Sequence, residues 1–273
     1  MVDAGRIVAS TAKKRMAHLD WLRKEVGHME FAMPRGKLMA LRDQKMKTPG
    51  AADTFLKSVR AMYRWAVERD LVAVDPTAGI KLISRDVKGA TPWTDADFAQ
   101  YFRRHPKGTS AHLAVTLLLH TACRISDVTL LGRKNESSEA GAAWISFQPG
   151  KRGSSFVSVP MHPDLYGATR ARKVVGPTYL LKEDGKPFSS RVGVGNKLHD
   201  WIRQAGLTDK DGVVNRSAHG IRKAVGGSMA EAGASVYEIM AVNGHSSPKT
   251  SAVYTKGASR AKLAASGLAR LNK

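Results

Sequence analysis

The chain has little cysteine, few acidic residues and no long apolar run. Its 273 residues include a single cysteine, Cys123, which excludes an internal disulfide and fits a reducing cytoplasm. No apolar run reaches the roughly 18 residues that a membrane span requires. The basic N-terminus also lacks the apolar stretch of a secretory signal. We therefore expect a cytoplasmic protein with no membrane partner.

Positive charge is what the chain has in excess. Its 44 Lys and Arg residues against 23 Asp and Glu give a formal net charge of +21 and a pI of about 10.3. The excess extends over the whole chain, so it does not come from a basic tail on a neutral domain. A soluble basic protein is one interpretation. Because polyphosphates are the commonest partners of globally basic surfaces, we favour nucleic-acid binding.

Apolar residues recur with helical period at three places in the N-terminal region. The patterns predict helices over residues 11–26, 35–44 and 48–69. The polar face of the third helix carries Lys57, Arg60 and Arg64. A solvated helix face is the alternative interpretation. Because basic residues recur on every predicted helix of this region, we assign these three side chains to DNA contact.

The rest of the chain predicts more helices and one hairpin. Thr94 and Asp97 form a capping-box variant, and alternating residues on either side of Pro149–Gly153 indicate two strands. The chain should therefore be mainly α with a small antiparallel β-sheet. The predicted strands span residues 143–148 and 156–159, and the predicted helices span residues 110–120, 163–172, 189–204 and 259–271.

Residues 216–256 place polar side chains at spacings suited to chemistry. His219 and Arg222 are three residues apart, so they project from one face of a helix. Gly244 ends a second apolar helix and is followed by His245. Tyr254 comes nine residues later, in a segment that Ser247 and Pro248 open as an N-cap and a first-turn proline.

This order of residues resembles box II of the tyrosine recombinases, the phage integrase family. Upstream, the likeness extends to LLLHTACRISDVTLL, which is similar to box I. The resemblance covers residues 12–258 and implies that Asp127 braces the site and that five residues are catalytic: Arg124, His219, Arg222, His245 and Tyr254. Taken alone, Arg124 at a break between two helices could simply pair with a core carboxylate.

The resemblance also implies a catalytic lysine on a β-hairpin and a two-domain DNA clamp. Lys151 is our candidate for the lysine, with Arg152 as its rival. Residues 1–85 would be a helical core-binding domain, residues 86–92 a linker and residues 93–273 a catalytic domain with a C-terminal helix. We expect no arm-binding domain ahead of them. The chain would then be either a short family member or a piece of a longer parent.

Three places depart from the family pattern. Ala122 and Cys123 stand where a glycine and an apolar residue are common, and Asn243 replaces an apolar residue ahead of Gly-His. Gly226 and Gly227 each weaken the box II helix by roughly 1 kcal/mol relative to alanine. None of these departures removes a catalytic group.

These residue types suit transesterification of DNA without a cofactor. A tyrosine oxygen can form a covalent link to phosphate, and two guanidinium groups can fork onto its oxygens. A lysine can protonate the departing 5′ oxygen, and histidine can move protons on the nucleophile side. A metal site is not expected, because the acidic pairs Asp95/Asp97 and Asp209/Asp211 fall at helix starts or loops.

The leading hypothesis is a site-specific recombinase that integrates or excises a phage or mobile element through a 3′-phosphotyrosyl intermediate. It would bind double-stranded DNA, be monomeric when free and form a homotetramer on paired sites, with accessory DNA-bending or directionality proteins and a nucleoid-associated location. One alternative is a type IB topoisomerase-like enzyme, and another is a non-catalytic DNA-binding relative. The C-terminal helix, with Leu263, Leu268 and Leu271, could pack on its own domain or on a neighbouring protomer.

Overall fold

The computed structural model describes residues 7–83, 89–171, 176–188, 191–256 and 260–269. In these ranges the protein is mainly helical with a small antiparallel sheet, which confirms the predicted fold class. The chain divides into two compact units, Met1–Lys88 and Gly89–Lys273. The linker over residues 86–92 stays a prediction, since residues 86–88 lie outside the described ranges and residues 89–92 belong to the second unit.

Three helices build the part of the first unit that the structure describes. Proline at the first position of the third helix follows Thr48, whose backbone is extended, as expected where a helix begins. That helix buries Phe55, Leu56, Val59 and Tyr63 in a core shared with the other two. The three helices agree with the predicted ones to within about two residues: α1 (Ala9–Val26), α2 (Arg35–Asp43) and α3 (Pro49–Val67).

The three basic side chains on the polar face of α3 differ in how available they are to a ligand. Lys57 and Arg64 are exposed and line a surface cleft of about 470 Å³. Arg60 lines the same cleft, but its Nη2 donates to the carbonyl oxygen of Ile80 at 2.7 Å. A guanidinium has five N–H donors, so this bond leaves others for a phosphate. DNA contact by the three side chains stays a prediction.

The second unit contains nine further α-helices among the residues that the structure describes. Thr94 and Asp97 form the predicted capping box at the start of the first of them. The fifth helix of the chain is buried along most of its length, where Leu113, Leu117 and Leu118 are in the core. The nine are α4 (Asp95–Arg104), α5 (Ser110–Thr121), α6 (Ile125–Val128), α7 (Pro163–Arg170), α8 (Arg191–Gln204), α9 (Ala218–Glu231), α10 (Val236–Asn243), α11 (Pro248–Thr255) and α12 (Arg260–Ala269).

A sheet of three antiparallel strands in the order β1-β2-β3 lies between α6 and α7 in the chain. The predicted hairpin is present as β2 (Ala142–Phe147) and β3 (Val157–Pro160), with Ile145 opposite Val159. The additional strand β1 (Glu136–Glu139) was not predicted. Its Glu-Ser-Ser-Glu sequence has no apolar alternation, and it is held by its ladder to β2 at the edge of the sheet.

Two helix ends of the second unit bear on the site and on the predicted C-terminal helix. The short helix α6 begins at Ile125, and the Asp127 carboxylate accepts the N–H of Arg124 just before it. The predicted apolar stripe of the last helix falls partly on Leu271, outside the described residues, while Leu268 is exposed. Of the helices that the structure describes, none has the length and apolarity needed to span a membrane.

Candidate active site

Arg222 is a buried cation in the second unit. It lies on the first turns of α9, whose N-cap Ser217 accepts the N–H of Gly220. Its guanidinium donates to the carbonyl of Ala122 at 2.6 Å and to the carbonyl of Asn243. Burial and the charge of Arg124 lower the pKa of Arg222 to about 10, so it remains charged at neutral pH. Arg222 therefore links α9 to the residues at the ends of α5 and α10.

Arg124 and Asp127 join box I to the hairpin loop. The buried Asp127 carboxylate accepts the backbone N–H of Arg124 at 3.2 Å and that of Gly150 at 3.0 Å. Arg124 Nη1 donates to Ser154 Oγ at 3.1 Å and lies 4.0 Å from Asp127 Oδ2. The Arg124 side chain keeps 23% of its surface exposed. The core carboxylate thus positions the backbone around Arg124 and leaves its guanidinium open to a ligand.

The hairpin loop that carries Lys151 packs on the corner formed by Gly244 and His245. Gly244 ends α10 with a left-handed φ of +58°, and a Cβ there would lie 2.7 Å from the Val157 side chain. Ser155 Oγ donates to the carbonyl of His245 at 3.3 Å. The exposed Lys151 thus lies on a loop that contacts the site. Arg152 lies on the same loop, so it remains the alternative candidate for the catalytic cation.

His245 is buried between two polar side chains. Its Nε2 lies 2.8 Å from Arg222 Nη2, and its Nδ1 lies 2.7 Å from Ser251 Oγ. Burial, followed by the charges of Arg222 and Arg124, lowers the pKa of His245 to about 4. The ring is therefore neutral at physiological pH. Lys151 also contributes to this lowering, so its ammonium is near enough for its charge to act on the ring.

Tyr254 lies beside His245. The two rings are parallel within 5°, with centroids 6.4 Å apart. The Tyr254 ring also covers Gly226, where a Cβ would come within 2.9 Å of it. Burial raises the pKa of Tyr254 more than Arg222 and Arg124 lower it, so the phenol is protonated.

His219 lies on the first turn of α9, one turn before Arg222, and its side chain is partly exposed. Burial, Lys223 and Arg222 lower its pKa. The structure therefore gathers Arg124, Arg222, His245 and Tyr254 with bracing Asp127, and places His219 and Lys151 on elements that reach this cluster. Lys57, Arg60 and Arg64 belong to the other unit.

Two polar partners in the cluster were not anticipated from the sequence. Ser154 bonds to Arg124, and Ser251 bonds to His245. Ser251 precedes Tyr254 by three residues, which is one helical turn. That spacing was visible in the sequence and could have pointed to Ser251.

One group of potential metal ligands occurs within the described ranges, and none of its members belongs to this cluster. Ligand atoms of His120, His162 and Asp164 lie within 4.8 Å of one another. However, the two imidazoles are stacked with planes 9° apart and centroids 4.3 Å apart. Their in-plane lone pairs therefore do not converge on one point, and His162 already caps α7 by accepting the Asp164 N–H. We assign no metal to this group.

Comparison with known proteins decides the family. The family model described as Phage integrase family matches residues 96–260, more than half of the chain. The chain belongs to the phage integrase family. It is accordingly a tyrosine recombinase, an enzyme that breaks and rejoins DNA strands.

Curated relatives agree with this assignment. The recombinase is 26% identical over 212 residues to the protein named tyrosine recombinase XerC from two strains of Lactobacillus delbrueckii subsp. bulgaricus. The match covers 73% of this chain and 70% of each relative.

Solved structures share the fold at low sequence identity. A lambda integrase dimer bound to a COC′ core site superposes with a TM-score of 0.77 and 15% identity, covering 95% of this chain and 93% of that chain. The Tn1549 transposon integrase in complex with transposon right end DNA gives 0.75 and 16%, covering 98% and 96%. A lambda integrase tetramer bound to a Holliday junction gives 0.75 and 15%, covering 94% and 76%.

The adjacent glycines of α9 provide a matched pair for testing how Tyr254 is held. Gly227→Ala places its Cβ in open space, so it should raise the free energy of unfolding by up to about 1 kcal/mol through better helix propensity. Gly226→Ala should push the Tyr254 ring away and slow covalent attachment to DNA. Urea unfolding and trapping of the protein–DNA adduct measure the two effects. Equal stability gains with unchanged attachment in both variants would show that the ring does not pack on Gly226.

Because His245 is neutral in the folded protein, the stability of the protein should fall as the solution becomes acidic. An unfolded histidine has a pKa near 6.5, whereas His245 has a folded pKa of about 4. The unfolded state therefore binds a proton first as the pH falls from about 6.5 to about 4, and stability is lost over that window. This loss amounts to about 3 kcal/mol at most.

His245→Gln should shrink the difference in unfolding free energy between pH 7 and pH 4 by up to that amount. The control is His199→Gln, at an exposed histidine on α8, and it should change the difference less than His245→Gln does because its side chain stays in contact with water. Urea unfolding at both pH values provides the measurement. An unaltered pH dependence in His245→Gln would mean that the ring is not held neutral.

Proposed function

We propose that this chain is a site-specific recombinase that cuts DNA with Tyr254 and forms a 3′-phosphotyrosyl link. The observation that carries the proposal is the side-by-side placement of Tyr254 and His245, with His245 bonded to Arg222. A nucleophile, two guanidinium groups and neutral imidazoles within one cluster suit attack on a phosphodiester.

In the proposed reaction, Tyr254 Oη attacks phosphorus as the bond from phosphorus to the 5′ oxygen breaks. Arg124 and Arg222 stabilise the charge on the non-bridging oxygens, which is largest in the five-coordinate transition state. His219 accepts the phenolic proton, and Lys151 donates a proton to the departing 5′ oxygen. The 5′-hydroxyl of a partner strand then attacks the phosphotyrosine and releases Tyr254.

The DNA is expected to be double-stranded and to lie against both units. The net charge of +21 suits a polyanion, and Lys57, Arg60 and Arg64 line a basic cleft on the first unit. Lambda integrase is known as a dimer and as a tetramer on a Holliday junction. By analogy, we propose that this chain assembles as a homotetramer on paired sites and is monomeric when free.

The likeness to lambda integrase and to the Tn1549 transposon integrase suggests a phage or mobile element as the source of the DNA sites. We propose integration or excision of such an element as the biological role. Accessory DNA-bending or directionality proteins are part of this proposal. Topoisomerase-like relaxation is the competing outcome, and it would appear as loss of supercoils without strand exchange.

The nucleophile is tested with element-end DNA nicked just 3′ of the cleavage position, which traps the covalent adduct. Tyr254→Phe should bind this DNA as the wild type does but form no SDS-resistant adduct, because the phenol oxygen is the attacking atom. Tyr237→Phe, at an exposed tyrosine on α10, should form it normally. An adduct from the Tyr254→Phe protein would reassign the nucleophile.

The general acid is tested by pairing Lys151→Ala and Arg152→Ala with two substrates. On ordinary DNA, Lys151→Ala should slow cleavage by roughly 10²- to 10⁴-fold, the usual contribution of general acid catalysis. A 5′-bridging thiol leaves without protonation, so it should restore the rate of this variant. Single-turnover cleavage measures both rates. Rescue confined to Arg152→Ala would transfer the role to Arg152.

A further inference from the structure

Ser251 lies inside the cluster although no catalytic role has been assigned to it. Its side chain is fully buried on α11, and its Oγ is 2.7 Å from His245 Nδ1. It precedes Tyr254 by one helical turn, so both side chains lie on one face of α11. The hydroxyl therefore links the imidazole to the helix that carries the tyrosine.

The bond on the other side of the ring determines what Ser251 does. A guanidinium has only donors, so Arg222 Nη2 can bond to His245 Nε2 only if that nitrogen accepts. In a neutral imidazole the other nitrogen then carries the proton. Nδ1–H must consequently donate to Ser251 Oγ, and the hydroxyl acts as the acceptor.

We propose that Ser251 is a positioning residue that holds His245 with its proton on Nδ1 in the DNA-free protein, while Nε2 accepts from Arg222. Two bonds on opposite sides of the ring fix its plane as well as its tautomer. Since Ser251 and Tyr254 share a helical face, the same bond sets α11 against His245. The parallel arrangement of the His245 and Tyr254 rings follows from this placement.

A hydroxyl suits this position because it can both donate and accept. This consequence rests on the proposed function. When a DNA phosphate draws the Arg222 guanidinium away, Nε2 loses its donor. The imidazole can then gain a proton on Nε2 and lose the one on Nδ1 through solvent, without net protonation. Ser251 reverses its role and donates to Nδ1, so the ring keeps its position and presents Nε2–H to the phosphate.

The tautomer can be measured directly by nitrogen NMR of the full chain labelled with ¹⁵N-histidine. The two neutral tautomers give different nitrogen shifts and coupling patterns, and loss of a signal in His245→Gln assigns the residue. At pH 7 without DNA, His245 should show the Nδ1–H form. Ser251→Thr should keep that form, and so should Ser246→Ala, at an exposed serine beside the histidine. Ser251→Ala should lose it or show exchange between tautomers.

Two NMR results would overturn the inference. One is an Nε2–H or doubly protonated ring in the wild type, which needs no variant to be folded. The other is a Ser251→Ala spectrum for His245 that is identical to that of the wild type.

Cleavage of nicked DNA supplies a second readout. With DNA binding unchanged, Ser251→Ala should slow adduct formation on the order of a hundredfold, the usual effect of a small misplacement of reacting groups. Ser251→Thr should restore the rate, because it retains the hydroxyl. Wild-type rates in Ser251→Ala would refute the positioning role. A wild type that shows the Nδ1–H tautomer but never forms an adduct would refute the proposed function and leave the inference standing.

Discussion

The site depends on a buried guanidinium that is bonded to backbone carbonyls. Burying a cation is costly unless its donors find acceptors. Arg222 meets this requirement with the carbonyls of Ala122 and Asn243, which lie where α5 and α10 end. Both helices end at a residue with a left-handed backbone conformation, which is Ala122 with φ +46° for α5 and Gly244 with φ +58° for α10. An alanine in this conformation costs about 1–2 kcal/mol, so the carbonyl contact offsets local strain.

A second constraint is the buried carboxylate of Asp127, which holds the loop that carries the exposed Lys151. Asp127 gives one carboxylate oxygen to box I and the other to the hairpin loop, so Arg124 and the loop are set by a single buried anion. In the proposed reaction, Arg124 would thereby be held in advance for the charge that develops on the non-bridging phosphate oxygens, as preorganised electrostatic stabilisation requires. Lys151, on the same loop, projects into solvent. A proton donor that approaches the leaving oxygen only with DNA in place fits this arrangement.

Local signals predicted most of the elements, and tertiary packing accounts for what they missed. The capping box at Thr94 and the Gly244 helix end are short-range features, so they could be read from the sequence. Strand β1 is held by pairing with β2, which no local pattern reveals. Gly226 looked like a weak point of the box II helix. The structure shows that a side chain there would collide with Tyr254, a contact 28 residues apart in the chain.

The protonated state of Tyr254 constrains how the proposed reaction must run. Because burial outweighs the neighbouring cations, the pKa of the phenol stays above its ordinary value, and no phenolate is stored in the DNA-free protein. The proton must then leave as the oxygen attacks, which requires an acceptor close to Tyr254. In the DNA-free protein, His245 Nε2 accepts from Arg222 and its Nδ1 donates to Ser251. With DNA bound, the ring would present Nε2–H to the phosphate, so neither state leaves it free to accept this proton. In the proposed reaction that acceptor is His219, whose lowered pKa keeps it neutral and whose side chain is exposed on the first turn of α9. In the proposed reaction the two histidines therefore have different roles: His219 accepts the phenolic proton, and His245 contacts the phosphate.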